Sequence, residues 1–435
     1  MFNGIIYCFA CLLLSLYIFP FEFVALPGIN TKMILAGIGV IAVAVKLAKE
    51  RNSSILKDFI SIVSLALAVS LIGFCSIVYN NTKDYTYVTY IVSMLVWLSA
   101  ANVVLMCIRK IHKGISVELV CNYLIGVAVF QCISALVIDF IPYCKQLVNS
   151  IVLGVGFVAD FKDIDGIRLY GIGAMLDVAG QRFSCILVMI SFICIHSKSV
   201  YVKRYIGWYL FSFFFIAIVG NMISRTTTIG VLVSVLYWIY TLFTKSSEDL
   251  EHIKSFFKVG LPIFIVILIV SIYLYQTNST IHNHIRFGFE GFFSIAEKGE
   301  WETNSTNILE NMYRFPQSLK TWLIGDGYFE NPTGDPLYTG YQWKGFYMGT
   351  DVGYLRFIYY FGLIGLLAFS CYFIKVSQIC MMKFSKYRRL FFLILILNFI
   401  VWFKVSSDLF PIFALFLCIN TAEDDSFDRR VCIIE

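Results

Sequence analysis

The sequence predicts an all-α polytopic membrane protein with about twelve transmembrane helices and two large extracytoplasmic loops. Three observations carry this expectation. Of 435 residues, 59% are hydrophobic and only 14% charged, where soluble chains carry about a quarter. Apolar runs of membrane length recur along the chain. The basic residues gather in short segments that fall on one side if each run crosses. Much of the formal charge of +6 is then topological, and no nucleic-acid partner is expected.

The runs begin near Gly4, Lys32, Phe59, Tyr87, Ser116, Phe183, Tyr205, Thr226, Phe257, Val352, Leu390 and Val405. The N-terminal stretch MFNGIIYCFACLLLSLYIF has neither the positive n-region nor the small-residue cleavage site of a signal peptide, so it reads as a retained first span. The runs near Phe183, Thr226 and Leu390 are short, which suits tilted, broken or re-entrant segments. The basic groups are KLAKER with Lys57, RKIHK, Lys198 with Lys203 and Arg204, Lys245 with Lys254 and Lys258, and Lys375 with KFSKYRR. They mark the cytoplasmic side and put both termini there. One membrane domain over 1–420 and a cytoplasmic tail over 421–435 are expected. Most of the 13 cysteines lie in apolar runs as small hydrophobes, and no CxxC pair offers a metal or redox site.

Two loops on the other face are long, about 142–182 and about 276–350, and long loops in compact structures are usually functional. The second is rich in aromatics. Within it NSTNILENMYRF reads as an amphipathic helix capped by Asn304 or Ser305, with Ile308, Met312 and Phe315 on one face and Pro316 ending it. PQSLKTWLIG reads as a second helical piece with Pro316 in its first turn. Phe292, Phe293 and Trp322 suit the bilayer edge, so this loop is expected to lie on the membrane.

Ionisable residues in lipid are costly, and Glu22, Asp139, Arg225, Asp351, Arg356 and Asp408 all fall at extracytoplasmic ends of runs. Arg225, in VGNMISRTTTIGV, is either a snorkelling arginine at a tight turn or a fixed cation for an anionic substrate. Its neighbours Asn221, Ser224 and three threonines favour the second. Asp351 is either a helix-start residue or a catalytic carboxylate. Arg356 stands on the unfavourable end of the helix dipole, and five residues place it about 140° around a helix from Asp351. A same-face pair is therefore not expected. Arg168, Asp177 and Arg182 fall in the Gly-rich RLYGIGAMLDVAGQR, which suits a loop closing on a ligand. His282 and His284 are a possible base or ligand pair, or part of a bland interfacial loop. DFKDID departs from a calcium-loop pattern, and no metal or cofactor is expected. No nucleotide-binding motif is present, so an enzyme here takes a substrate activated elsewhere.

RLYGIGAMLDVAGQRF, SRTTTIG, IGDGYF and TDVGYLRFIYYFGLIGLL, in that order and with two large external loops, resemble the O-antigen polymerases, the Wzy family. The resemblance implies a glycosyltransferase of the bacterial inner membrane that polymerises lipid-linked repeat units into lipopolysaccharide or capsule. The growing glycan passes from undecaprenyl diphosphate to a new lipid-linked repeat unit. A chain-length co-polymerase and a flippase are implied pathway partners. The family's Arg-x10-Gly pattern fits Arg314 to Gly325, whereas Arg168 to Gly180 is one residue too long. On this resemblance Arg225 and Arg356 hold the departing diphosphate, and Asp177 or Asp351 takes the proton of the attacking hydroxyl. Arg168, Arg182, Arg314, Gly325, Asp326 and Tyr354 bind substrate. An O-antigen ligase shares the layout and remains an alternative, as does a flippase or transporter. A transporter, however, places its ionisable groups near the midplane on repeated halves, and no repeat is visible.

Overall fold

The computed structural model describes residues 2–49, 53–153, 168–197, 199–244, 247–332 and 345–424. In chain order the elements are α1 (Phe2–Ile18), β1 (Glu22–Phe23), β2 (Leu26–Asn30), α2 (Thr31–Lys49), α3 (Ser53–Asn80), α4 (Tyr90–His112), α5 (Val117–Phe140) and α6 (Pro142–Ile151). Then come α7 (Leu176–His196), α8 (Val200–Arg204), α9 (Ile206–Ile223), α10 (Thr227–Phe243), α11 (Ser247–Thr277), α12 (Ser279–Gly288), α13 (Glu290–Lys298), α14 (Asn304–Met312) and α15 (Leu319–Leu323). The last are α16 (Gly353–Lys383), α17 (Arg388–Val401) and α18 (Phe410–Leu417). Among the described residues seven helices are long and apolar enough to cross a membrane, and helix dominates, as in an all-α membrane protein, beside the one two-stranded hairpin.

Several boundaries differ from the expectation. The run near Phe183 starts at Leu176, so Asp177 and Arg182 are helical and not loop residues. The polar sequence LDVAGQR continues the helix because its side chains find buried partners, which periodicity alone does not reveal. The runs at Leu390 and Val405 give α17 and α18, both shorter than a usual span and separated by the turn around Trp402–Leu409. Thr303, not Asn304 or Ser305, caps α14, accepting a hydrogen bond from Thr306 N at 2.9 Å. Pro316 lies ahead of α15, whose cap is Ser318.

The chain divides into two compact units. Unit 1 comprises 1–39, 100–300 and 418–435; unit 2 comprises 40–99 and 301–417. In unit 1, α7 is buried along nearly its whole length and packs on α5, α9 and α10. Its contact with α10 is close because Gly230 has no side chain to collide with Ser184. The Ser184 hydroxyl donates to Thr226 O at 2.9 Å and accepts from Gly230 N at 3.1 Å. Outside the bundle, Arg286 of α12 grips Glu297 of α13 with two hydrogen bonds of 2.5 and 2.7 Å. The guanidinium holds that carboxyl below its usual range.

Unit 2 centres on an aromatic cluster in which Tyr87 touches Phe329, Phe357, Phe361 and Phe369. Helix α16 is broken at Gly362, whose φ of 68° and ψ of −172° are outside the helical region. The break frees carbonyls that lack an intrahelical donor, and the GDGYF turn supplies replacements. Asp326 N donates to Tyr359 O at 2.6 Å and Gly327 N to Tyr360 O at 3.1 Å. Ser76 Oγ also donates to Tyr360 O, at 2.7 Å.

Candidate functional site

In unit 1, the segment after α9 turns sharply and carries Ser224, Arg225 and Thr226. Its backbone is held by Ser224 N donating to Gly220 O at 2.7 Å. Asp177, in the first turn of α7, accepts from Ser224 Oγ at 2.9 Å and from Thr226 Oγ1. Gly180, one turn further, lets the segment come this close, since a Cβ there would stand 2.6 Å from Ser224 Oγ. The hydroxyls on either side of Arg225 in the chain thus orient the Asp177 carboxylate.

Arg225 itself lies over the ring of Phe287, 4.3 Å from its centroid, and pairs with Glu290. Arg168 lies over the same ring at 5.1 Å. Two guanidinium groups therefore lie over one aromatic ring, each attracted to it by a cation–π interaction. Leu169 N donates to Met222 O at 3.1 Å, anchoring Arg168 beside the end of α9. Gly288 packs its bare Cα against Asn221 and Met222, which lets α12 present Phe287 here. One turn back on α12, the buried His284 Nε2 lies 2.7 Å from Asp139 Oδ2, with Lys145 Nζ 3.9 Å from Oδ1. Arg182 is also buried, on α7 near the Phe19 ring.

The remaining candidates lie in unit 2. Arg356 is 6% exposed and is enclosed by protein. Phe329 and Phe346 flank its guanidinium at 3.6 and 4.4 Å, Ser406 Oγ accepts at 2.8 Å and Phe329 O at 3.1 Å. Asp351 is 3.6 Å from it. The two pair, though not across one face of a helix, and so the partner of Arg356 expected elsewhere is Asp351 itself. Asp351 precedes the first helical residue, Gly353, so the 140° rotation of a continuous helix never applies. Thr350, not Asp351, turns its hydroxyl to the chain, accepting from Val352 N at 3.3 Å.

The other unit 2 residues are engaged in holding structure together. Tyr354 spends its hydroxyl on Phe399 O at 3.0 Å. Asp326 accepts from Lys320 Nζ and Thr321 Oγ1, each at 2.8 Å. Gly325, at φ 84°, lies against the backbone of Tyr360, and Arg314 donates to Met348 O at 3.1 Å. These contacts place Arg356, Tyr354, Gly325 and Asp326 in the support of α16. In unit 1, Arg225 and Arg168 lie over the Phe287 ring, with Glu290 as the counter-ion of Arg225.

DFKDID, at 160–165, lies outside the described residues. Among the described residues no cluster of three or more His, Cys, Asp or Glu forms a metal centre. Phe287, Glu290 and the Asp139–His284 pair were not singled out together from sequence. Their only local signal is the three-residue spacing of His284 and Phe287, which sets both on one helical face. No known protein family, curated protein or solved structure matches this chain.

Proposed function

We propose that the protein is a glycosyltransferase that polymerises lipid-linked repeat units at the extracytoplasmic face of the bacterial inner membrane. It transfers the growing glycan from undecaprenyl diphosphate to a new repeat unit. The observation that carries this is the pair of guanidinium groups, Arg168 and Arg225, on the Phe287 ring, with the hydroxyl-bound Asp177 on the neighbouring segment. Guanidinium forks match phosphate oxygens. In the reaction the acceptor hydroxyl oxygen bonds to the anomeric carbon and its proton passes to Asp177. The carbon–oxygen bond to the diphosphate breaks, and its electron pair leaves with the carrier lipid. The anomeric centre inverts. Arg225 and Arg168 stabilise charge that develops only as the diphosphate departs, which is where such groups lower a barrier. Asp351 is the weaker candidate base because it already neutralises Arg356.

The broken helix α16 is a feature also found in transporters. Here the freed carbonyls of Tyr359 and Tyr360 are capped by Asp326, Gly327 and Ser76, which favours a structural break over an ion site. The test uses the protein in nanodiscs with undecaprenyl-diphosphate-linked repeat units and EDTA. A ladder on the carrier lipid is the expected product. Transfer of preformed chains to lipid A–core instead, or no product with magnesium and a co-polymerase restored, overturns the assignment.

A further inference from the structure

The lipid-facing stripe of α5 does not stop where the helix stops. Phe130, Ile133, Val137 and Phe140 are exposed on one side of this membrane-length helix. Only Ile141 separates it from α6. Along α6 the exposed apolar residues Tyr143, Leu147 and Ile151 recur every fourth position, forming a second stripe. Tyr143 is 73% exposed and Leu147 48%. The adjoining face is used inward: Val148 packs on the cluster of Phe21, Ile138, Val152 and Tyr170.

The β1–β2 hairpin extends the same surface. It is stitched to the end of α6 by Val24 N donating to Ile151 O at 2.9 Å and Leu153 N to Glu22 O at 2.7 Å. Its tip, VALPGI, contains no charged residue, and Val24, Leu26 (51% exposed) and Ile29 point away from the protein. Gly28, at φ 86°, makes this tight tip possible. The hairpin also connects the end of α1 directly to the start of α2. Helix α6 carries no acidic residue, and its one cation, Lys145, has a half-exposed side chain.

We infer that the hairpin and α6 form a docking surface for the phospholipid bilayer, lying in the headgroup–acyl boundary of the leaflet where α5 ends. Covalent continuity selects the bilayer as occupant: the surface begins one residue beyond a membrane-length helix and continues its lipid-facing stripe. A short amphipathic helix with an aromatic and aliphatic face and a lysine at its edge suits that boundary. The consequence reaches the candidate site. Tyr170 belongs to the cluster beneath the surface, and Arg168 is two residues before it. Under the proposed function, docking then sets the depth at which Arg168 meets a lipid-borne phosphate. The inference stands without the polymerase assignment.

The full-length protein in phosphatidylcholine–phosphatidylglycerol nanodiscs, with a fluorescent noncanonical amino acid replacing Leu147 in one variant and Leu26 in another, tests it. Quenchers are iodide in water and nitroxide lipids labelled near the headgroup or deep in the acyl chain. The expected result at both positions is at least twofold stronger quenching by the shallow nitroxide than by the deep one, with little quenching by iodide. Iodide quenching equal to that of free dye places the surface in water and overturns the inference. Stronger deep quenching puts it in the acyl core, and shielding from all quenchers means another copy covers it; either result also overturns it. If one substitution prevents folding, the other still reports.

Discussion

Arg356 is buried and Arg225 half-buried, and their partners differ. Arg356 is held by two rings, two oxygen acceptors and Asp351. Removing it leaves a cavity and an uncompensated carboxylate, so Arg356→Ala is expected to cost about 3 kcal/mol of stability, read as a clear fall in thermal unfolding temperature in detergent. Arg225→Ala is expected to retain the fold and to lower kcat about 100-fold, the scale of one oxyanion-stabilising donor. An unchanged rate in a folded Arg225→Ala protein removes the leaving-group role. Glu290 pairs with Arg225, so under the proposed function an incoming diphosphate competes with it. Glu290→Gln is accordingly expected to lower KM for the lipid-linked donor several-fold. A higher KM shows instead that Glu290 positions the arginine.

Among elements, α16 depends on its break. Gly362 occupies backbone space reserved for glycine, and a Cβ there would overlap the Leu323 backbone. Gly362→Ala is therefore expected to destabilise the protein by at least about 1–3 kcal/mol from backbone strain, measured by thermal unfolding. Gly37→Ala in α2, where a Cβ meets nothing, is the matched control and leaves the transition unchanged. The existence of α16 is legible in the run from Val352, because apolar composition is a local property. Its break is not, since Gly362 resembles the unbroken Gly365 until Leu323 arrives against it. The early start of α7 was hidden for the same reason: Asp177 and Arg182 look like loop residues until Ser224, Thr226 and Phe19 become their neighbours.

For the whole molecule, the charge distribution predicts orientation. An epitope inserted after Glu300 is expected to bind an impermeant antibody on intact spheroplasts, and one after Lys113 only after permeabilisation. The reverse pattern overturns the assigned sidedness. Membrane class and the long apolar helices were legible in the sequence, because hydrophobicity and helical hydrogen bonding are satisfied within each segment. The partnerships were not. Asp177 meets Ser224 from 47 residues away, Arg225 meets Glu290 from 65 and His284 meets Asp139 from 145. A charge declares in sequence only that burial is costly. Which opposite charge, ring or hydroxyl offsets that cost is decided by helix packing, and so only the tertiary structure separated Arg356, enclosed by two rings beside Asp351, from Arg225, paired with Glu290 over the Phe287 ring.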